Sequence, residues 1–349
     1  MSSPAKVAPS VNDSRSLVIA FVYTFFQKAI IKAVAKKMQK EVFFIYPSHR
    51  SYLKTESTSI VLSESDLNIS PKKAFALRKN ITSLIRELTK GTDFEVWLAS
   101  CDNPIGQLLV NHKKCARKVL FEDGIGSYVK NLPFDCDKGV RSILRKIKYF
   151  IYFFPEYRSV YGLGSLSAHE YWAIFSSAFP RSKKKPNIIN AKDIGCQFDI
   201  LDKLPEIKNL DLVYIDQPLE RIGVPKHLIK KSLGSYIGSK KEFGIIWIKK
   251  HPVTNDIEIN EIVELFSSLT DHEIRIIDQN IPIESLCVDE RFKPFQVFSF
   301  LSTALYTIKA LRNDVSLISI KGPEIVRKHP RLNLYYKALR SIGVEVRIH

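Results

Sequence analysis

Short apolar runs alternate with helical periodicity from one end of this chain to the other, and that pattern limits the folds open to it. In the first half, Leu17–Tyr23, Glu41–Tyr46, Phe94–Ala99, Lys118–Phe121 and Arg158–Tyr161 predict strands. Helical spacing fills Phe25–Gln39 and Lys72–Thr89 between them. Strands separated by helix-length segments pair in parallel, because a parallel neighbour needs a crossover of a dozen or more residues. The alternation resumes at Leu212–Asp216, Phe243–Ile248, Glu273–Asp278, Phe295–Ser299, Val315–Ile320 and Val344–Ile348. Between the two series, the proline-bounded basic stretch from Pro180 to Pro186 has the composition of a linker. The expectation is an α/β protein with two Rossmann-like domains, 1–185 and 186–349, facing across a cleft. No GxGxxG loop follows the first strand, so dinucleotide binding is not expected.

A chain of 349 residues is long enough for two cores. Its five cysteines, Cys101, Cys115, Cys136, Cys196 and Cys287, are odd in number and form no CxxC pair. They read as reduced thiols of a cytosolic protein. The apolar run Leu17–Phe26 is half the roughly 20 residues a membrane span requires, and no secretory signal pattern precedes it. The first fifteen residues are polar and read as a loose tail. The expected location is therefore the cytoplasm.

The net charge of +17 draws the chain towards nucleic acid, anionic membrane or anionic substrate. Without an RNP-like motif, a zinc finger or a glycine-arginine tract, nucleic acid is not the expected partner. The segment 138–154 places Val140, Ile143, Leu144, Ile147, Phe150, Ile151 and Phe154 at helical spacing, interleaved with Lys138, Arg141, Arg145, Lys146 and Lys148. Such a segment is either an anchor for an anionic membrane surface or a core-facing helix with a solvated basic face.

Three strand ends carry the chemistry. Glu122-Asp123-Gly124 follows the run ending at Phe121, and Gly124 permits the tight turn that lifts neighbouring carboxylates into a cleft. Adjacent acids repel, and desolvation can bring one into the range of a general base; Asp-Gly is equally a common surface turn. Lys249-Lys250-His251-Pro252 ends another apolar run, placing a histidine and two lysines where a phosphate could bind. A second His-Pro, His329-Pro330, has no strand leading into it and reads as a turn. Ser302 and Thr303 open the helix Ala304–Leu311, as an N-cap or as an anion site built on free N–H groups and the helix dipole. Glu284, in Ile281-Pro-Ile-Glu284, could accept hydrogen bonds from ribose hydroxyls. Asp135-Cys136-Asp137 matches an Asp-x-Asp metal string beside a predicted turn, and no metal is expected there.

The order Glu-Asp-Gly, Lys-x-His-Pro, Pro-x-Glu and Ser-Thr resembles that of the bacterial sialyltransferases, including the lipooligosaccharide sialyltransferases and capsular polysialyltransferases. The resemblance begins at Tyr23-Thr24-Phe25-Phe26-Gln27, includes Asp216-Gln217-Pro218-Leu219 and spans nearly the whole chain. It implies a GT-B fold and inverting transfer of sialic acid from the donor substrate CMP-sialic acid, without cofactor or metal, to a glycan or glycolipid. By that analogy an acid of the Glu122–Asp123 pair, with Asp123 the preferred one, deprotonates the acceptor hydroxyl on the turn supported by Gly124. His251 assists phosphate departure. Ser302 and Thr303 hold phosphate oxygens, Glu284 the ribose and Lys249 the cytidine end, with Pro252 completing the CMP site. Asp216 stands where relatives often have glycine. The setting implied is capsule or lipopolysaccharide synthesis, with peripheral contact at the inner membrane. Rival readings are transfer of another CMP-activated sugar such as Kdo, transfer of a CDP-activated polyol phosphate, and a basic, non-catalytic protein that binds nucleic acid or membrane.

Overall fold

The computed structural model describes residues 16–48, 54, 57–62, 70–99, 103–129, 147, 151, 168–198, 204–240, 242–251, 254–278 and 281–349. Two wholly parallel sheets form the framework. The first holds seven strands in the order β3-β2-β1-β4-β5-β6-β7 and the second six in the order β10-β9-β8-β11-β12-β13. The first comprises β1 (Leu17–Phe21), β2 (Val42–Pro47), β3 (Ser59–Leu62), β4 (Phe94–Leu98), β5 (Cys115–Phe121), β6 (Glu170–Ala173) and β7 (Asn187–Ile188). The second comprises β8 (Leu212–Ile215), β9 (Ile246–Lys249), β10 (Ile274–Ile277), β11 (Gln296–Ser299), β12 (Leu317–Lys321) and β13 (Glu345–Ile348). Every residue of β4, β8, β9 and β11 is buried, as strands covered by helices on both faces must be.

Strand order reverses between β1 and β4 in the first sheet and between β8 and β11 in the second. Crevices at such reversals, beyond the carboxyl ends of the strands, are where open α/β sheets take ligands. Helix α1 (Phe25–Met38) starts at the first reversal, where the Thr24 side chain accepts from the Gln27 N–H. It buries Phe26, Ile30 and Val34 against Val18, Ala20, Trp97 and Phe121 of the first sheet. The alternate residues, including Ile19, Phe21, Val96 and Leu98, belong to a second apolar cluster. That cluster runs through Ile125 and Tyr128 into Leu305 and Tyr306 of the second domain, so the two domains share one core.

Three short strands, β3, β6 and β7, lie at the margins of the first sheet and were not legible in the apolar pattern. The boundary expected at 185/186 falls inside the first domain, because β7 still pairs with β6. Beyond it, the helix Ala191–Gly195 sends Ile194 into the core beneath α1. The basic stretch from Pro180 to Pro186 is thus a loop within the first domain. The Phe179 N–H donates to the Ser127 carbonyl at 2.7 Å just before it, and Lys184 Nζ donates to the His169 carbonyl at 2.9 Å. The expected strand Arg158–Tyr161 and the string Asp135-Cys136-Asp137 lie outside the described residues. So does the segment 138–154 apart from Ile147 and Ile151, which are both exposed. Among the described residues, no helix is long and apolar enough to cross a membrane.

Candidate active site

Strand ends of both domains open into one cavity of about 340 Å³. The first domain supplies Tyr23 to Gln27 from the start of α1, together with Asp123 and Gly124 from the end of β5. The second supplies Asp216, Gln217, Lys249, Lys250, His251, Glu284, Ser302 and Thr303.

The two neighbouring acids part company here. Glu122 is fully buried behind the cavity, where Oε2 accepts from the Tyr128 hydroxyl and, at 2.9 Å, from the Ile174 N–H. Burial pushes its carboxyl up to about 7, against those hydrogen bonds and with help from the neighbouring Asp123 charge. Asp123 instead faces the cavity. Its backbone N–H donates to Ser127 Oγ at 2.7 Å, and its Oδ1 accepts from the Gln27 side-chain amide. Gly124 follows at φ +69°, and a Cβ there would overlap the Thr303 methyl group. Glycine is therefore required twice, by the left-handed backbone and by close approach of the second domain. Glu122, the other candidate base of the pair, is an interior residue, and of the two acids Asp123 is the one that lines the cavity.

Across the cavity, Lys249 ends β9 and is buried, with Nζ donating to the Asp278 carbonyl at 3.0 Å. Burial pushes its ammonium down to about 8, opposed by the nearby Glu284 and Asp278 carboxylates. Burial likewise raises Glu284 above the usual carboxylate range. Asp216 braces the histidine loop. Its Oδ2 accepts from the Thr254 hydroxyl at 2.6 Å and from the His251 N–H at 3.4 Å. Gln217 ties β8 to β11 with both ends of its amide, to the Leu301 N–H at 2.7 Å and to the Leu301 carbonyl at 3.1 Å. Ser302 caps the helix Thr303–Leu311 by accepting from the Ala304 N–H at 3.2 Å, and Ser302, Thr303 and Ala304 at the start of that helix line the cavity.

The structure thus brings together Asp123, Gly124, Lys249, His251, Glu284, Ser302 and Thr303. Pro252 lies outside the described residues. His329 is absent from the cavity lining and packs its Nε2 against the Gly223 carbonyl at 3.1 Å, a turn contact as expected. Among the described residues there is no group of three or more His, Cys, Asp or Glu side chains able to hold a metal.

A family profile described as alpha-2,8-polysialyltransferase matches residues 21–321, which include every one of these groups. The chain belongs to that family. As a member of the polysialyltransferase family it is a sialyltransferase-type glycosyltransferase. No curated protein sequence is significantly similar to it. Among solved structures, the UDP-GlcNAc 2-epimerase of Methanocaldococcus jannaschii is 12% identical, covering 93% of this chain and 92% of its own at a TM-score of 0.51. The spinosyn forosaminyltransferase SpnP is 12% identical, covering 96% and 86% at a TM-score of 0.51. At such identity the likeness is one of fold alone, and that fold is GT-B.

Placed on this polysialyltransferase-family chain, the resemblance assigned no role to Gln27, Tyr128 or Tyr306. Gln27 carried one signal, a polar residue in the otherwise apolar first turn of α1. The two tyrosines carried none.

Proposed function

We propose that the protein transfers sialic acid from CMP-sialic acid, with inversion, to a hydroxyl of a glycan or glycolipid. The observation that carries this is the opposition, across one cavity, of Asp123 to the second-domain set Lys249, His251, Glu284 and Ser302.

Inverting transfer needs a base for the incoming hydroxyl and electrostatic capture of a leaving phosphate on the opposite side of the sugar. Asp123 takes the proton of the acceptor hydroxyl as its oxygen bonds to the anomeric carbon of the sialic acid. The bond from that carbon to the CMP phosphate oxygen breaks, and its electron pair leaves with CMP. His251 hydrogen-bonds or protonates that oxygen, while the Ser302 hydroxyl and the N–H groups opening the Thr303–Leu311 helix stabilise the phosphate. The Lys249–Glu284 pair, coupled electrostatically, holds the nucleoside, with Glu284 at the ribose hydroxyls. No step in this scheme needs a metal or cofactor. The net charge of +17 suits an anionic donor and an anionic acceptor or membrane surface, as capsule or lipopolysaccharide synthesis presents.

Incubation with CMP-sialic acid and a sialylated oligosaccharide, followed by mass spectrometry and NMR of the product, tests the proposal. A product lengthened by one or more sialic acids, with inverted anomeric configuration, is expected. No transfer from CMP-sialic acid, with transfer from CMP-Kdo under the same conditions, would overturn the donor assignment.

A further inference from the structure

Thr24-Phe25-Phe26-Gln27 has the form of a helix capping box, Thr at the N-cap and Gln at the third helical position. Half of the box is conventional, the Gln27 N–H donating to Thr24 Oγ1 at 3.1 Å. The other half departs from it. The Gln27 carbonyl oxygen accepts from the Tyr23 N–H at 2.7 Å, one residue before the cap. A backbone N–H can only donate, so this bond settles which way round the amide lies. The amide nitrogen is then left to donate, and its partner is Asp123 Oδ1, 96 residues further along the chain. Gln27 is 2% exposed, so its amide is held by these partners in preference to solvent. Capping alone would use only the carbonyl oxygen; the nitrogen bond has no part in starting α1.

We propose that Gln27 is a positioning residue for Asp123, its locked amide holding the carboxylate towards the acceptor side of the cavity. This rests on Asp123 acting as the base. A neutral donor suits the task, because it favours the ionised carboxylate without competing for the proton that carboxylate must take. Among the described residues, the other charged or titratable groups around the cavity that Asp123 faces are Glu122 on the same turn, Tyr23 before α1 and, from the second domain, Asp216, Lys249, Lys250, His251 and Glu284.

Two substitutions separate positioning from capping. Gln27→Glu keeps a good capping side chain at the same helical position but sets a second carboxylate against Asp123. Gln27→Met keeps the length and removes both hydrogen bonds. With CMP-sialic acid and a sialylated oligosaccharide, the acid limb of the kcat/KM profile should move up by about one pH unit or more for Gln27→Glu. Its thermal unfolding should stay cooperative, with a midpoint lowered at neutral pH by the buried carboxylate pair and recovering as pH falls. Gln27→Met should lower kcat by about tenfold or more, with CMP affinity by calorimetry held within a few-fold, since the nucleotide groups lie on the second domain. The proposal is overturned if both variants keep the wild-type profile and kcat, or if activity falls with the acid limb unmoved. Asp123→Asn run in parallel keeps the two ideas apart. If it retains activity the base assignment fails; if it is inactive while the Gln27 variants behave as wild type, only the positioning role fails.

Discussion

The Tyr306 hydroxyl of the second domain points at the Glu122 carboxylate of the first, 3.4 Å from Oε2. The Tyr306 ring lies 4.4 Å from that of Tyr128, which donates to the same oxygen. Glu122 Oε1 has no hydrogen-bond partner among the described residues. A buried acid thus sits at the point where the shared core crosses between domains, directly behind Asp123.

Glu122 makes stability pH-dependent in a defined direction. Its folded carboxyl titrates at about 7, above the ordinary value of 4.5, so between those limits the folded state holds a proton that the unfolded state has lost. Stability from this group is present below 4.5 and lost as pH rises towards 7. The total is on the order of 3 kcal/mol. Urea unfolding of wild type and Glu122→Gln from pH 4.5 to 8 should show the variant gaining on the wild type by about that amount as pH rises. Parallel curves would sink the assignment.

Gly124→Ala should be costly on two counts. An L-residue at φ +69° loses about 1–2 kcal/mol, and the new methyl overlaps that of Thr303. We expect a lower unfolding temperature and loss of most sialyl transfer. Adding Thr303→Ser removes the opposing methyl and should recover part of the activity while leaving the backbone cost. A double variant no better than the single would contradict the contact.

The two His-Pro pairs should behave differently. His251→Ala should cut kcat by about 10²–10³, the usual effect of removing one group that stabilises a developing oxyanion. His329→Ala should leave kcat within about twofold, because its ring bonds the Gly223 carbonyl and does not line the cavity. Equal losses in two folded variants would remove the distinction drawn from their places in the fold.

Lys249 predicts the pH dependence of nucleotide binding. With its ammonium held near 8 by burial, it is charged below that pH and neutral above it. Calorimetric affinity for CMP should therefore fall as pH passes through about 8 in the wild type. Lys249→Met should bind more weakly at pH 7 and show a much flatter dependence. A wild-type affinity that is constant from pH 7 to 9 would rule the role out.

Much of this was legible before any tertiary structure. The central strands β1, β4, β8, β9, β11 and β12 declared themselves because burial on both faces writes a continuous apolar run into sequence, whereas β10 and β13, at the edges of the second sheet and largely exposed, were read from their alternating apolar residues. Strand ends follow from strand positions, so Asp123, His251 and Ser302 could be assigned to a ligand-facing edge. Length does not explain why the marginal strands β3 and β6 were missed, since several strands that were read are also four residues long. Asn187–Ile188 is exposed and joins the sheet only by pairing with its neighbour.

Local sequence therefore determined two parallel sheets and the order of the chemical groups along them, since both depend on periodicity and on neighbours in the chain. Tertiary structure alone decided which of two adjacent acids faces the cavity. Tyr128, Ile174 and Tyr306, up to 184 residues away, enclose Glu122, while Gln27 holds Asp123 from the opposite direction. A side chain at a turn goes where distant groups can desolvate it or satisfy its hydrogen bonds, and no local pattern records those partners.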